Sequence, residues 1–391
     1  MEDLETDYES KNLKKYKLMF FLLGNSSLLC FNVGINAIDI FNKICSRNDM
    51  GTILSKAYNF PASLFALSLC FFKPKNLKFT ISLSLLAMTL LLISIQICTL
   101  MKQTEKYLFG ISISIFGLFG IISALAFSSI FSLASQFDSV MGVYVSSGNG
   151  CCGVLASVLR IFTKALFSSE NQLKTSSTTY FILAATITIS TFVFFIVMSK
   201  DEIISKKLKD IKKKDSDEKV CSSKILTTIK TIWLEWISVF INFFITLSLF
   251  PGYVTRIKQP KALGDWTPII VVTLFCIFDW IGRYLPSLFF YPKRTRAWIP
   301  HAIRFIYYPI FIIGIQDIVT VGEPWWTFFW TCTFALTNGY SSTVSFIYGI
   351  NHEKLTLEDR SHSSFLMSFS INAGILFAMI ISFGIDKLPT K

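Results

Sequence analysis

The chain has 391 residues and a formal net charge of +12; 52% of the residues are hydrophobic, 16% are charged, and the mean hydropathy is +0.54. That balance excludes an ordinary soluble domain and points to an all-α polytopic membrane protein. The Lys and Arg excess does not describe a nucleic-acid surface, because the basic residues fall in the gaps between apolar segments instead of along one face.

At about 20 apolar residues per crossing, the hydropathy pattern predicts about eleven transmembrane helices. They fall at 16–41, 53–72, 79–101, 107–133, 139–164, 176–199, 231–254, 267–290, 297–319, 325–349 and 363–386. The expected organisation is a charged tail (1–15), a six-helix bundle (16–199), a basic linker (200–230) and a five-helix bundle (231–391). The first span is too long for a signal-peptide core and should stay in the chain.

Within the first span, Asn25, Asn32 and Asp39 recur at heptad spacing, so one helix face stays polar through much of the bilayer. Such a face either hydrogen-bonds a neighbouring helix or lines a pathway, and the spacing leaves both open. In the second span, Asn59 and Pro61 predict a local break with a freed carbonyl. The division between the fourth and fifth spans rests on Ser135-Gln136-Phe137-Asp138 alone. The fifth span carries Ser146-Ser147-Gly148-Asn149-Gly150-Cys151-Cys152-Gly153, a density of small residues that lets helices approach closely. No Lys-Ser/Thr pair follows it, so it is not a phosphate loop.

The linker combines Lys206-Lys207-Leu208-Lys209 and Lys212-Lys213-Lys214 with several acids, and it reads as a solvated, mobile segment. With the N-terminus in the cytosol, that side collects about 21 loop Lys and Arg against about 12 opposite, and an odd span count puts the C-terminus outside. The seventh span holds Glu235 and ends in Leu249-Phe250-Pro251-Gly252, and the ninth holds Arg304; structural ion pairing is the expectation for both charges. In the eighth span, Asp279 and Arg283 sit four residues apart and so on one helix face. A charge in hydrocarbon costs roughly 2.5–3.5 kcal/mol on insertion scales, so the pair must face each other, a polar cavity, or both. The tenth span carries Thr337-Asn338-Gly339-Tyr340-Ser341-Ser342, a polar patch at mid-depth. All eight Trp follow residue 230, and Trp266, Trp298, Trp325 and Trp326 fall at span ends, as interfacial anchors do. Nine Cys without CxxC spacing and three scattered His give no metal or disulfide pattern.

Several of these segments resemble one family, the equilibrative nucleoside transporters. Phe275-Cys276-Ile277-Phe278-Asp279-Trp280-Ile281-Gly282-Arg283 resembles that family's F-N-x-F-D-W-x-G-R. Ser147-Gly148-Asn149-Gly150-Cys151-Cys152-Gly153 is similar to S-G-Q-G-L-A-G, and Phe334-Ala335-Leu336-Thr337-Asn338-Gly339-Tyr340 to F-A-x-x-N-G-Y. Leu249-Phe250-Pro251 is similar to the seventh-span ending.

The resemblance implies a major-facilitator-like 6+5 bundle that carries nucleosides, purine nucleosides among them, by alternating access. It implies that Asp279 and Arg283 engage sugar hydroxyls, that Phe31, Leu28 and Ile35 pack on the ligand, and that Asn59, Ala62 and Ile375 line the same cavity. Gly148, Gly150, Gly153, Pro251, Asn338 and Gly339 would serve helix packing and gating. Several positions depart from the pattern: Ser123 stands in place of glycine, and Cys30 and Phe31 stand in place of the first-span Pro-Trp. Phe127 stands where many members have a base-contacting glutamine, and Cys276 stands in place of an asparagine or glutamine. The alternatives are a nucleobase or other solute carrier, with proton coupling through Asp39, Glu235 or Asp279. A membrane-embedded enzyme or receptor would need clustered catalytic residues or a ligand-binding domain, and neither is visible. The expectation is a monomeric plasma-membrane protein without cofactor, whose partners are a small nucleoside or nucleobase and the bilayer.

Overall fold

The computed structural model describes residues 2–47, 49–100, 104–167, 172–217, 222–250, 266–290, 292–315 and 324–385. Fourteen α-helices follow in order: α1 (Glu2–Asn36), α2 (Ile38–Ile44), α3 (Met50–Phe71), α4 (Leu77–Leu100), α5 (Glu105–Ala134), α6 (Ser139–Leu166), α7 (Leu173–Met198), α8 (Glu202–Asp217), α9 (Ser222–Leu249), α10 (Trp266–Tyr284), α11 (Ile299–Ile303), α12 (Tyr307–Ile315), α13 (Pro324–Ile350) and α14 (Leu357–Ile385). Among the described residues, eight helices are long and apolar enough to cross a membrane. The expected eleven are not all of that kind: Lys56 and Asn59 make α3 more polar, Thr, Asn and Ser do the same for α13, and the ninth is broken.

The break in the ninth span has a local cause. Pro309 offers no N–H to the carbonyl one turn back and crowds it, and the chain tightens just upstream into a single 3-10 turn, Arg304–Ile306, between α11 and α12. Pro61 acts differently, because α3 continues through it and the predicted break does not occur. The carbonyl of Ala57, deprived of its donor, lies against Gly117 of α5. The short division between the fourth and fifth spans is real: α5 stops at Ala134, and the Asp138 side chain caps α6 by accepting from the Val140 N–H.

The basic linker differs from its expectation of a mobile segment. It forms α8, whose Ile203, Ile204, Leu208 and Ile211 are buried at helical spacing, with Lys206, Lys209, Lys212 and Lys213 exposed. Lys207 Nζ donates to the Gln136 carbonyl at 2.6 Å and lies over the Phe137 ring, and Tyr16 donates to Asp201 at 2.9 Å. These contacts place α8 at the end of the bundle where α1 begins, α5 ends and α6 begins. The charged tail likewise continues the helix of α1 from Glu2.

Close crossings build the two halves: α1 on α6, α3 on α5 and α4 on α7 in the first, and α9 on α14 and α10 on α13 in the second. The halves meet along α6 and α10, α3 and α14, and α5 and α14. Hydrogen bonds joining the halves run from mid-helix to the α8 end: Ser63 to the Asn372 carbonyl (3.1 Å), Ser128 to Ser368 (2.8 Å), Ser132 with Ser361 (2.5 Å), Ser146 with Thr343 (2.6 Å) and Gln136 to the Leu357 carbonyl (2.9 Å). Lys224 of α9 pairs with Glu358 of α14 at 2.8 Å beneath them. Trp298 and Trp325 are exposed, as expected of anchors at span ends.

Candidate functional site

The site grows from the α10–α13 crossing. A Cβ on Gly339 would overlap the carbonyl oxygen of Asp279, and one on Gly282 would overlap that of Leu336, so the two backbones touch. This closeness lets the Asn338 Nδ2 of α13 donate to Asp279 Oδ1 at 2.6 Å. On the other carboxylate oxygen, Arg283 Nε donates to Oδ2 at 2.7 Å, the i,i+4 pairing expected from the spacing. That bond uses only Nε, so the two Nη groups of Arg283 lie outside it.

Helix α6 closes the other side. A Cβ on Gly150 would come within 2.8 Å of Arg283 Cδ and 2.9 Å of the Trp280 Cα, and one on Gly153 within 3.2 Å of Cys276 Sγ. Trp280 Nε1 donates to Ser147 Oγ at 3.2 Å. Gly148 instead faces α1, where a Cβ would overlap the carbonyl of Phe21. The glycine run of α6 thus packs two helices at once, α1 and α10. Asp279, Arg283, Cys276, Gly150, Gly153, Asn338 and Gly339 come together; Pro251 lies outside the described residues.

The polar stripe of the first span faces α6. Ser27 donates to Asn149 (2.7 Å), Asn32 Nδ2 contacts Cys152 Sγ (3.1 Å), Ser157 donates to Asn36 (3.1 Å) and Arg160 pairs with Asp39 (2.5 Å). Between lining a pathway and bonding a neighbour, these residues do the second. On the flank of the stripe Leu28, Phe31 and Ile35 are half-buried, and Phe31 packs on Tyr58 with ring centroids 4.5 Å apart. Asn59 is buried and donates to the Ser55 carbonyl at 2.9 Å, Ala62 sits in a small cluster with Ala66, Ala124 and Phe369, and Ile375 is half-buried on α14. The Phe127 ring packs against Phe131 (4.8 Å) and, across the halves, Phe346 (5.9 Å).

Of the other buried charges, Glu235 pairs with Arg294 at 2.6 Å, and Arg294 also contacts His352 Nε2. Burial and the Arg294 guanidinium hold the His352 imidazole below its ordinary range. Arg304 is 1% exposed, and among the described residues it forms no ion pair; it donates to the Phe334 carbonyl (3.0 Å), Thr337 (2.9 Å) and Thr246 (2.7 Å).

Sequence reasoning missed the group behind Asn338. Asn242 Nδ2 and Thr246 Oγ1 both reach Asn338 Oδ1, at 2.7 and 2.6 Å, and His301 Nδ1 meets Asn242 Oδ1 at 3.3 Å. The signal was present: Glu235, Ser238, Asn242 and Thr246 recur at helical spacing along one face of the seventh span.

A family model described as "Nucleoside transporter" matches residues 111–219 and 205–387. "Equilibrative nucleotide transporter 1" of Arabidopsis thaliana is 26% identical over 351 residues, covering 84% of this chain and 77% of that protein. "Equilibrative nucleoside transporter 2" of Homo sapiens is 24% identical over 444 residues, covering 94% and 95%. Among solved structures, the major facilitator superfamily transporter FucP in the outward conformation superposes with a TM-score of 0.62 at 14% identity, over 95% of this chain and 93% of that one. The proton:xylose symporter XylE gives 0.63 at 12% identity, over 97% and 90%. These likenesses carry the fold, a major-facilitator arrangement of helices.

Proposed function

Because the chain belongs to the nucleoside transporter family, whose members move solutes across membranes and are not enzymes, we propose that it carries nucleosides, purine nucleosides foremost, down their gradient by alternating access. The observation that carries this reading is the Asp279–Arg283 pair, tied by one bond of 2.7 Å between two bundles. The carboxylate offers acceptors and the guanidinium Nη groups offer donors, the complement that vicinal sugar hydroxyls require. The half-buried ring of Phe31, which packs on the buried Tyr58 ring, supplies an apolar face of the kind that suits a base.

Rocking of the halves is supported by the bonds that join them. They are mostly pairs of neutral hydroxyls and ring contacts, and each such bond is worth only about 0.5–1.5 kcal/mol. A contact of that strength closes one end and can be released. The distribution of loop Lys and Arg supports a cytosolic α8 end and N-terminus and an extracytosolic C-terminus. The proposed setting is the plasma membrane, with the protein as a monomer.

Competition by a panel of nucleosides and nucleobases for uptake into reconstituted vesicles, with and without a pH gradient, tests the reading. Purine nucleosides compete best, free bases compete poorly, and the gradient changes nothing. Dominant competition by free bases would replace the substrate class. For Phe127, the variant Phe127→Gln adds an edge-reading amide at the family's base-contacting position. The expected result is a change in purine over pyrimidine preference of about tenfold, the size of roughly one good hydrogen bond. An unchanged preference would leave Phe127 to the ring cluster with Phe131 and Phe346 alone.

A further inference from the structure

One sequence pattern recurs in the two halves and has no part in the Asp279 site. Phe71-Phe72-Lys73-Pro74-Lys75-Asn76-Leu77-Lys78 follows the second span, and Phe289-Phe290-Tyr291-Pro292-Lys293-Arg294-Thr295-Arg296 follows the eighth. Both read Phe-Phe-x-Pro-Lys-x-x-Lys/Arg, and both follow the second span of their half. Each proline keeps the preceding helix from running on, and new helical structure starts just beyond, α4 at Leu77 and a 3-10 turn at Arg294.

Both turns lie at the α8 end of the bundle. Helix α4 meets α8, and does so by its beginning, because its other end leads away into the start of α5. At the end of α10, Tyr284 meets Tyr144, near the start of α6, edge to face at 6.4 Å. The backbones are fixed. The Phe79 N–H donates to the Asn76 side chain at 3.2 Å, and the Tyr340 and Tyr348 hydroxyls donate to the carbonyls of Phe289 (3.3 Å) and Pro292 (3.1 Å).

The remaining side chains stand outside the protein. Phe71, Phe72 and Phe79 are exposed at the first turn and Phe289, Phe290 and Trp298 at the second, with Lys75, Lys78, Lys293 and Arg296 exposed among them. Among the described residues none of these four cations has an ion pair, and the sequence holds no Asp or Glu from 50 to 104 or from 280 to 316. Each group of rings continues an apolar stripe along the outside of the bundle, through Leu83, Leu86 and Leu90 on α4 and through Ile299, Ile303 and Ile306 after Trp298. A soluble acidic protein would meet the cations but not rings set into that apolar band. A lipid meets both, acyl chains against the rings and headgroup against the cations.

We propose that the two turns are matched seats for anionic phospholipid, one on each half, in which Lys75 with Lys78, and Lys293 with Arg296, hold the headgroup while the flanking rings lie among the acyl chains. The choice of the cytosolic leaflet, where anionic lipids concentrate, rests on the proposed orientation; the binding itself does not.

Native mass spectrometry of the full-length protein, titrated in neutral detergent with phosphatidylserine or phosphatidylcholine, tests this by counting bound lipids. Two phosphatidylserine molecules bind about tenfold or more tightly than phosphatidylcholine, since each cation near an anionic headgroup is worth roughly fivefold. Lys75→Gln with Lys78→Gln removes one of the two, Lys293→Gln with Arg296→Gln removes the other, and all four together abolish the preference. Lys209→Gln with Lys212→Gln takes the same charge from the exposed face of α8 and leaves both lipids bound. An equal loss from the α8 pair would mean that net charge alone attracts lipid to this end, and it would overturn the inference, as would a wild type without preference.

Further arms separate lipid from other anions. Inorganic phosphate and a polyglutamate peptide at matched charge do not displace phosphatidylserine, and displacement by either overturns the assignment to lipid. Phe72→Ser with Phe79→Ser weakens the first seat about fivefold or more at unchanged charge; unchanged binding would reduce the turn to an ion-exchange surface and overturn the proposed seat. In wild type, raising salt from about 0.1 M to about 1 M shortens the screening length from about 10 Å to about 3 Å and erases the preference, and a preference that persisted would overturn the role of the four cations. Lipid is counted without nucleoside, so the result stands or falls independently of the transport reading.

Discussion

Arg283→Ala and Asp279→Ala each reduce uptake of labelled nucleoside by on the order of tenfold to a hundredfold, while the protein still reaches the membrane. The size follows from the bonds removed, since a hydrogen bond to a charged group is worth roughly 1.5–3 kcal/mol and each 1.4 kcal/mol is about tenfold. Two effects add in the same direction. The variant removes a group that meets the sugar, and it leaves the partner charge, with a side chain only 11–12% exposed, without its counter-charge. Arg283→Lys restores the charge but not the planar fork, so it recovers part of the uptake only. Surface labelling in parallel with uptake separates loss of transport from loss of protein. Wild-type uptake by Asp279→Ala would remove the pair from the substrate site.

Gly339→Val gives the second large effect, on both stability and transport. A Cβ at this position overlaps the Asp279 carbonyl oxygen and lies 2.9 Å from the Arg283 N, so α13 must move away from α10. Overpacking of this kind costs typically about 1–3 kcal/mol. The functional loss is larger than the stability loss, because retreat of α13 carries Asn338 away from its 2.6 Å contact with Asp279 and frees the carboxylate to turn. A lowered melting temperature in detergent, with uptake reduced to near background, is the expected pair of results. Gly339→Ala is intermediate in both. A valine variant that melts and transports like wild type would mean that the two backbones are not in contact in the working protein.

The sequence was informative where one residue type has few uses in a membrane. An acid and a base four residues apart in an apolar run had to be paired, and Asp279 and Arg283 are. Glycine density in the fifth span predicted close helix approach, and Gly148, Gly150 and Gly153 are places where a neighbouring helix leaves little or no room for a Cβ. Where a residue type has two uses, the sequence could not choose. Asn25, Asn32 and Asp39 fit a pathway or a partner helix equally well, and α6 supplies the partner of Asn32 and Asp39. Arg304 was expected in an ion pair because a buried cation usually has one; here a carbonyl and two hydroxyls replace it. The linker was read as solvated from its lysines, since its four apolar residues acquire meaning only once something lies beneath them.

The sequence by itself determined that this is a helical membrane protein with a charged pair in its eighth span, and its local motifs determined the family. Those properties depend on composition and on spacing along one helix, which the chain carries in its order. Tertiary structure alone decided which polar faces meet. It brought Asn338 to Asp279 by putting Gly339 and Gly282 at a backbone contact, and it set Arg304 behind Thr246 through a turn broken near Pro309. It also placed Phe127 in a ring cluster between the halves. Hydrogen bonds between helices depend on the rotation and separation of both, and no single span encodes either.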